Sequence, residues 1–373
     1  MSGEGAAVVA AEAIRVRVPF RRPVVTAAGA WRHRESWIFR LFDAEGVVGL
    51  GEAALDFEAG PAVAAELARL VRETVERVRA GSGLPSGAEL EAAGAGGRAL
   101  RCALDSAVLD STLQARPQAG GPRSVPVNAT IGFLGASETA AAARAAVSAG
   151  FGTIKMKVGP ERTTVELIER VAAVRAAAGT DVRLRLDANG AWDVATARER
   201  LAAVAPYRIE YVEQPVAADD PSDLAAVREG SPVAIAADES MSSVAAAREL
   251  LAARAADVLV VKPARVGGPT AAWKIEEMAF AAGVSVVIST LFETGVGIAA
   301  ALATAAGLSP VAGAMADLAH GLATAGMLES DLLEKSLRIV DGRMVVPDGP
   351  GLGIALDETA LQRYAVERLA SRT

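Results

Sequence analysis

Apolar and polar positions along the chain change rhythm near Val125. Before that point strands and helices come in separate runs. The stretch "AEAIRVRVPF" alternates as a strand does, and "ESWIFRLFDAEGVVGLGEAAL" reads as two strands joined at "DAEG", where glycine suits a positive φ. "AGPAVAAELARLVRETVERVRAG" has helical periodicity, starts beside a proline and ends at glycine, and "GRALRCALDSAVLDSTLQA" predicts a second helix. This is an α+β pattern, and it ends near the Gly/Pro-rich "RPQAGGPRS". From Val125 on, short β-branched runs alternate with alanine-rich helical stretches. The strand candidates are "VPVNATIG", "GTIKMKVG", "VRLRLDAN", "IEYVEQPV", "PVAIAADE", "VLVVKPAR", "VSVVIST" and "PVAGAMADL". Strand–helix alternation implies parallel βαβ units, and eight of them at near-even spacing favour a closed (β/α)8 barrel. An open doubly wound sheet is the alternative, but no G-x-G-x-x-G follows the first strand. The tail beyond His320 carries the strand-like "SLRIV" and "RMVVPDGPGLGI". It has no evident partner strand of its own, so it is expected to return to the first unit. The layout is then a first unit over 1–124, a barrel over 125–320 and a returning segment over 321–373.

Composition narrows the function classes. A chain of 373 residues is enough for one large domain and a smaller one. It is 51% hydrophobic but only 4% aromatic, so the core must be aliphatic. With 45 acidic against 38 basic residues the net charge is −7, which disfavours a nucleic-acid or anionic-membrane surface. The single cysteine, Cys102, lies in helical sequence and leaves no internal disulfide and no Cys-based zinc site. No apolar run reaches the roughly 18 residues of a membrane span, and the N-terminus lacks a signal-peptide pattern. A cytoplasmic protein with no membrane partner is expected. The sequence is compatible with a homo-oligomer. Only His33 and His320 could serve chemistry that needs a histidine.

The polar residues at strand ends change the picture most. In "GTIKMKVG", Lys155 and Lys157 are two apart on one strand and project from the same face. Two ammonium groups side by side in a low-dielectric place repel, so something nearby is expected to use them. The next three strands end at Asp187, Glu213 and Asp238, in steps of 26 and 25 residues, about one βα unit each. Neighbouring strands bring the three carboxylates together at the C-terminal face of a barrel. Hard oxygen donors without His or Cys favour Mg2+. Lys262 lies on strand six, and Ser289 and Thr290 end strand seven. Taken singly, each acid reads more readily as a helix cap than as a ligand, and a buried lysine as half of an ion pair. Together they point to abstraction of a proton beside a metal-bound carboxylate. Lys155 would tune and contact the substrate, and Lys157, nearer the strand end, would be the base, its pKa lowered by neighbouring cations and burial. Arg185 is expected to find a charge partner inside the barrel. Asn189 and Trp192 read as loop-shaping, His320 as packing, and Glu293 as ambiguous.

The K-x-K, the D/E/D triad and the strand-six lysine resemble the enolase superfamily, muconate-lactonising subgroup. The resemblance covers nearly the whole chain. It implies an α/β fold: a modified (β/α)7β TIM-like barrel with an N-terminal α+β capping domain completed by the C-terminal segment. "PFRRPVVTAAGAWRHRESWIFRL", "GLGEAAL", "VPVNATIG" and "HGLATAGML" are similar to o-succinylbenzoate synthases. That family implies a carbon–oxygen lyase that dehydrates 2-succinyl-6-hydroxy-2,4-cyclohexadiene-1-carboxylate in menaquinone biosynthesis. Carried over, Lys157 is the base and Lys262 stabilises the enediolate from the other face. Asp187, Glu213 and Asp238 hold Mg2+, with Mn2+ as a substitute, and Lys155, Ser289, Thr290 and Trp31 contact a small carboxylate substrate. The loop Thr26 to Arg34 corresponds to a mobile cap loop, where Trp31 either covers the ring or packs within the cap.

Relatives in the subgroup share these residues. N-acylamino acid racemases and muconate cycloisomerases are the alternatives. Dipeptide epimerases carry D-x-D on the last barrel strand, and Met315 in "MAD" argues against them here. A barrel that binds without catalysis is disfavoured by the intact lysines and acids.

Overall fold

The computed structural model describes residues 7–26, 29–114, 124–308 and 317–371. Three long strands come first, β1 (Val8–Thr26), β2 (Gly29–Asp43) and β3 (Val48–Ala54), then helices α1 (Pro61–Arg79), α2 (Gly87–Ala92) and α3 (Gly94–Gln114). After β4 (Ser124–Pro126) come seven parallel strands: β5 (Ala129–Ile131), β6 (Thr153–Lys157), β7 (Arg183–Asp187), β8 (Ile209–Glu213), β9 (Ile235–Ala237), β10 (Val258–Val261) and β11 (Ser285–Ile288). Between and after them lie α4 (Ala136–Ser148), α5 (Thr164–Ala178), α6 (Val194–Val204), α7 (Pro221–Arg228), α8 (Val244–Ala252), the single turn α9 (Pro263–Val266), α10 (Pro269–Ala281) and α11 (Gly295–Ala306). The chain ends with β12 (Ile339–Val340), β13 (Arg343–Val345), α12 (Glu358–Tyr364) and β14 (Ala365–Ala370).

The N-terminal sheet runs β14-β1-β2-β3. Both of its faces are buried, because its strands carry two apolar sets of opposite parity. Ala11, Ala13, Trp37, Phe39 and Leu41 pack on α1 and α3 through Leu67, Val71, Leu100 and Leu104. Ile14, Val16, Val18 and Ile38 face the rest of the molecule and meet Val296, Leu328, Leu332 and Leu361. The register pairs like with like: Ala13 lies opposite Phe39 and Ile14 opposite Ile38. A half-exposed sheet would have needed polar residues at one parity.

In the parallel strands the same alternation separates two environments. Ile154, Met156, Leu184, Leu186 and Val212 point outward, beneath Leu167, Val171 and Leu201 of the helices. Tyr211, Ala236, Val258, Val260 and Val287 point inward and fill the floor of the barrel. Each fully buried aliphatic side chain of this kind stabilises by about 1.5–3 kcal/mol. Arg185 is also inward and fully buried. Its Nε donates to Glu210 at 2.5 Å and one Nη to the Ala319 carbonyl at 2.6 Å, and its guanidinium lies 4.6 Å over the Tyr211 ring.

Most of the expected eighth strand falls on residues 309–316, Met315 included, and the expected linker on 115–123; both lie outside the described residues. The chain just beyond joins the two edges of the sheet. His320 bridges Val127 and Gly321 bridges Ser289, both in parallel sense. The Ile288 N–H donates to His320 Nδ1 at 3.1 Å. Burial, helped by Arg185, drives the imidazole pKa down to about 3, so it stays a neutral acceptor in the seam.

Two sequence expectations change. "VPVNATIG" is not one strand: β4 pairs antiparallel with β13, and only β5 enters the barrel sheet. The tail does have a partner, since β12 and β13 form a hairpin that adds β4 as its third strand. The turn at Asp341 and Gly342, both at positive φ, makes that pairing, and periodicity had not marked it. The return to the N-terminal sheet is made instead by β14, which pairs antiparallel with β1 from Glu12 to Val16.

Candidate active site

The helices that follow the site strands do not use the strand-end acids as caps. The Asp193 side chain accepts from the Thr196 N–H to cap α6, Asp220 from Ser222 to cap α7, and Ser243 from Ala246 to cap α8. Asp187, Glu213 and Asp238 are therefore free to point into the barrel mouth, and all three are buried. Parallel register puts Lys157 beside Asp187 and Asp187 beside Glu213. Asp238 follows β9 directly, and its N–H donates to Gln214 Oε1 at 3.0 Å.

The lysines meet these acids from two sides. Lys155 Nζ lies 2.9 Å from Asp187 Oδ2 and 2.8 Å from Glu213 Oε1, bridging them. Lys157 Nζ donates to the same Asp187 Oδ2 at 2.9 Å and to Asn189 Oδ1 at 2.6 Å. On the other flank Lys262 Nζ lies 2.6 Å from Asp238 Oδ2. This answers why two lysines sit side by side: a buried carboxylate lies between them, so their repulsion is offset.

The charges then sort themselves by position. Burial would lower the Lys155 pKa, but Asp187, Glu213 and Asp238 outweigh it and hold this amine well above the usual lysine range. Carboxylates surround Lys155 more closely than cations do. Burial raises Asp187, yet Lys155 and Lys157 bring it to about 2. Asp238 is likewise raised by burial but driven well below the carboxylate range by Lys262, Arg265 and Lys155. Glu213 is left with the least positive charge. Burial pushes it up to about 8, with Lys155 opposing and the charges of Asp187 and Asp238 adding.

Two site residues, Arg265 and Gln214, are not marked by the sequence, and a third, Asn189, has a different part from the one expected. Arg265, one helical turn after Lys262, donates to Asp238 Oδ1 at 2.9 Å and to its carbonyl at 2.8 Å, and its other Nη pairs with Asp56 of the N-terminal unit. Gln214, at φ 39°, holds the backbone of Asp238 and Ser240. Asn189, read as loop-shaping, contacts Lys157 and donates to Glu239 Oε1 at 2.8 Å. A second cation near Lys262 in "KPAR" was the one signal that could have marked Arg265.

The side chains of the remaining sequence candidates find other partners, although Ser289 follows β11 beside Lys262, its N–H donating to the Val261 carbonyl at 2.9 Å. Ser289 Oγ and Thr290 Oγ1 donate to the Gly321 carbonyl at 3.4 and 3.3 Å, tying the closing segment to β11. Trp31 stacks on Phe57 at 5.0 Å, Phe57 stacks on Phe292 at 5.5 Å, and Arg34 lies 5.3 Å over the Phe57 ring. Trp31 thus belongs to an aromatic stack between the N-terminal sheet and the loop after β11.

Among the described residues no three acidic, Cys or His side chains converge on one point as ligands, because the carboxylates are turned onto the amines. The donor set still fits a hard divalent cation: three buried carboxylates on adjacent strands, one of them, Glu213, raised by burial and by the charges of its two neighbours. Beside them Glu239 keeps a buried oxygen with no hydrogen-bond partner.

Seven parallel strands in a closed barrel, an antiparallel cap sheet and lysines flanking an acidic triad at the strand ends define a class of enzyme. Residues 138–360 match the family model described as enolase C-terminal domain-like, and the chain belongs to the enolase superfamily, in its muconate-lactonising subgroup. It is 42% identical over 225 residues to an o-succinylbenzoate synthase of Thermobifida fusca, covering 60% of this chain and 67% of that one. It is 29% identical to a chloromuconate cycloisomerase of Cupriavidus pinatubonensis over 95% of this chain and 98% of that one. Among solved structures, a dipeptide epimerase from Enterococcus faecalis complexed with Mg and L-Leu-L-Tyr is similar at a TM-score of 0.79 and 26% identity, covering 94% of this chain and 99% of that one.

Proposed function

We propose that the enzyme is an o-succinylbenzoate synthase, dehydrating 2-succinyl-6-hydroxy-2,4-cyclohexadiene-1-carboxylate through an enediolate, in the cytoplasm and in menaquinone biosynthesis. The observation that carries the chemistry is the pair of amines, Lys157 and Lys262, on opposite flanks of the buried carboxylates. The similarity to the Thermobifida synthase supports the substrate.

Asp187, Glu213 and Asp238 would hold Mg2+, which supplies positive charge where the substrate carboxylate gains negative charge. Lys157 as neutral amine takes the proton from the carbon next to that carboxylate. The C–H electron pair moves into the enediolate, whose charge the Lys262 ammonium stabilises from the other face. Lys157, now ammonium, returns its proton to the departing hydroxyl, water leaves, and the ring becomes aromatic. The amine is regenerated, and no oxidant or reductant is needed. Lys155 stays charged between Asp187 and Glu213 and keeps both in place.

The test is loss of diene absorbance, with Mg2+ and with EDTA, for the wild type and for Lys157→Ala. Metal-dependent turnover that Lys157→Ala lowers at least about 1,000-fold is expected, within the range of general-base contributions combined with lost positioning. A folded, Mg2+-loaded wild type that leaves the diene unchanged excludes the synthase. A second reading has one observation behind it. Because Lys262 and Lys157 lie on opposite flanks of the carboxylates, the pair also suits two-base racemisation of an N-acylamino acid, and α-proton exchange in D2O from both enantiomers would reveal it.

A further inference from the structure

Asn189 follows Asp187 by two residues and sits in the left-handed region at φ 46°. Its partners settle which way its amide faces. Oδ1 accepts from Lys157 Nζ at 2.6 Å, and Nδ2 donates to Glu239 Oε1 at 2.8 Å; an ammonium can only donate, so the oxygen must face Lys157. Glu239 comes from a different strand end, two residues beyond β9, and its Oε2 is buried without a hydrogen-bond partner. Desolvating a carboxylate in this way is costly, and an apolar side chain would serve packing better.

We propose that Glu239 and Asn189 form a relay that positions Lys157: the carboxylate fixes the amide, and the amide fixes the amine. It rests on the assignment of Lys157 as the base. The other acceptor of Lys157, Asp187 Oδ2, is shared with Lys155 at the same 2.9 Å. An amide oxygen holds both the amine and the ammonium, since each has an N–H to donate. The tether therefore persists through proton transfer. A base must keep its place before and after it takes the proton, and a displacement of about 1 Å costs on the order of 100-fold in rate. Asn189 and Glu239 are positioning residues, acting on the substrate only through Lys157.

The experiment compares Asn189→Ala, Glu239→Gln and the double variant with the wild type, measuring kcat, KM and the primary deuterium isotope effect at the abstracted proton. Asn189→Ala is expected to lower kcat about 100-fold, leave KM little changed and raise the isotope effect, because proton abstraction becomes the slow step. Glu239→Gln keeps an acceptor but adds a competing donor, so it should fall between. The double variant should be no slower than Asn189→Ala, since the second residue acts through the first. Losses that multiply, or an isotope effect that stays at the wild-type value, would overturn the relay. If the wild type leaves the diene untouched but exchanges the α-proton of another carboxylate, the synthase reading fails and the same comparison is scored on that exchange. A crystal structure of Asn189→Ala gives a reading without substrate: Lys157 Nζ is expected to move by about 1 Å or more, and an unmoved amine overturns the proposal.

Discussion

Single side chains in this protein owe their ionisation to where the alternation of a strand puts them. Lys155 is the clearest case, an ammonium shared by Asp187 and Glu213. Replacing it by methionine leaves two buried carboxylates facing each other, and breaking a buried pair costs about 3–5 kcal/mol. Lys155→Met should therefore melt well below the wild type in EDTA and recover in part with Mg2+. A melting temperature indifferent to Mg2+ would count against the triad as a cation site. Glu293, left ambiguous by sequence, is buried beside Arg34 and Glu52 at the joint between cap and barrel. Burial pushes its carboxyl up to about 7 from 4.5, with Arg34 opposing and Glu52 adding. Between those values the folded state binds more protons than the unfolded one, so this group makes stability fall as pH rises from 4.5 to about 7, then level off. Glu293→Gln should accordingly gain stability relative to the wild type at pH 8 compared with pH 5, by up to about 3 kcal/mol. Urea midpoints at the two pH values check this, and an equal difference at both would contradict it.

At the scale of elements, two devices set the cap on the barrel. In β3, Gly49 and Gly51 let α3 lie directly on the sheet. A Cβ at Gly51 would stand 1.9 Å from the Ala103 carbonyl oxygen, and one at Gly49 2.0 Å from that of Ala107. Gly51→Ala must push the helix away and is expected to cost about 3 kcal/mol or more in urea unfolding. The next residue, Glu52, reaches across to the start of α11. Its carboxylate accepts from Thr294 N–H at 3.1 Å, Thr294 Oγ1 at 2.7 Å and Gly297 N–H at 2.9 Å. A carboxylate at a helix N-terminus gains from the exposed N–H groups and the helix dipole. Glu52→Ala should cost about 3 kcal/mol, given buried charge-assisted hydrogen bonds. A loss under about 0.5 kcal/mol would place it with ordinary surface positions.

Across the whole molecule, the cap touches the chemistry through a chain of charges. Asp56, in the loop after β3, pairs with Arg265, which in turn holds Asp238 beside Lys262. The aromatic stack of Trp31, Phe57 and Phe292 lies over the same boundary. Asp56→Asn weakens one link without opening the core. It should raise KM several-fold with a smaller effect on kcat, since a cap that closes less well mainly weakens binding. A drop in kcat with KM unchanged would mean that Arg265 needs Asp56 for the chemical step itself.

Much of this architecture was legible along the chain. The change of period near Val125, the inward parity of Lys155, Lys157 and Asp187, and the even spacing of Asp187, Glu213 and Asp238 are local features, and a strand's period of two converts them directly into a barrel mouth. The order of the later contacts was not legible. Arg265 meets Asp56 across 209 positions of sequence, and Asn189 finds Glu239 across 50; neither pairing leaves a periodic trace. The strand-like stretches of the tail were visible, but their pairing depended on a turn at Asp341 and Gly342 and on β4 being within reach. Sequence by itself determined which residues face inward, because that is a property of each strand. Tertiary structure alone decided which inward residue bonds to which, because those choices depend on side-chain conformations and on charges supplied by distant segments.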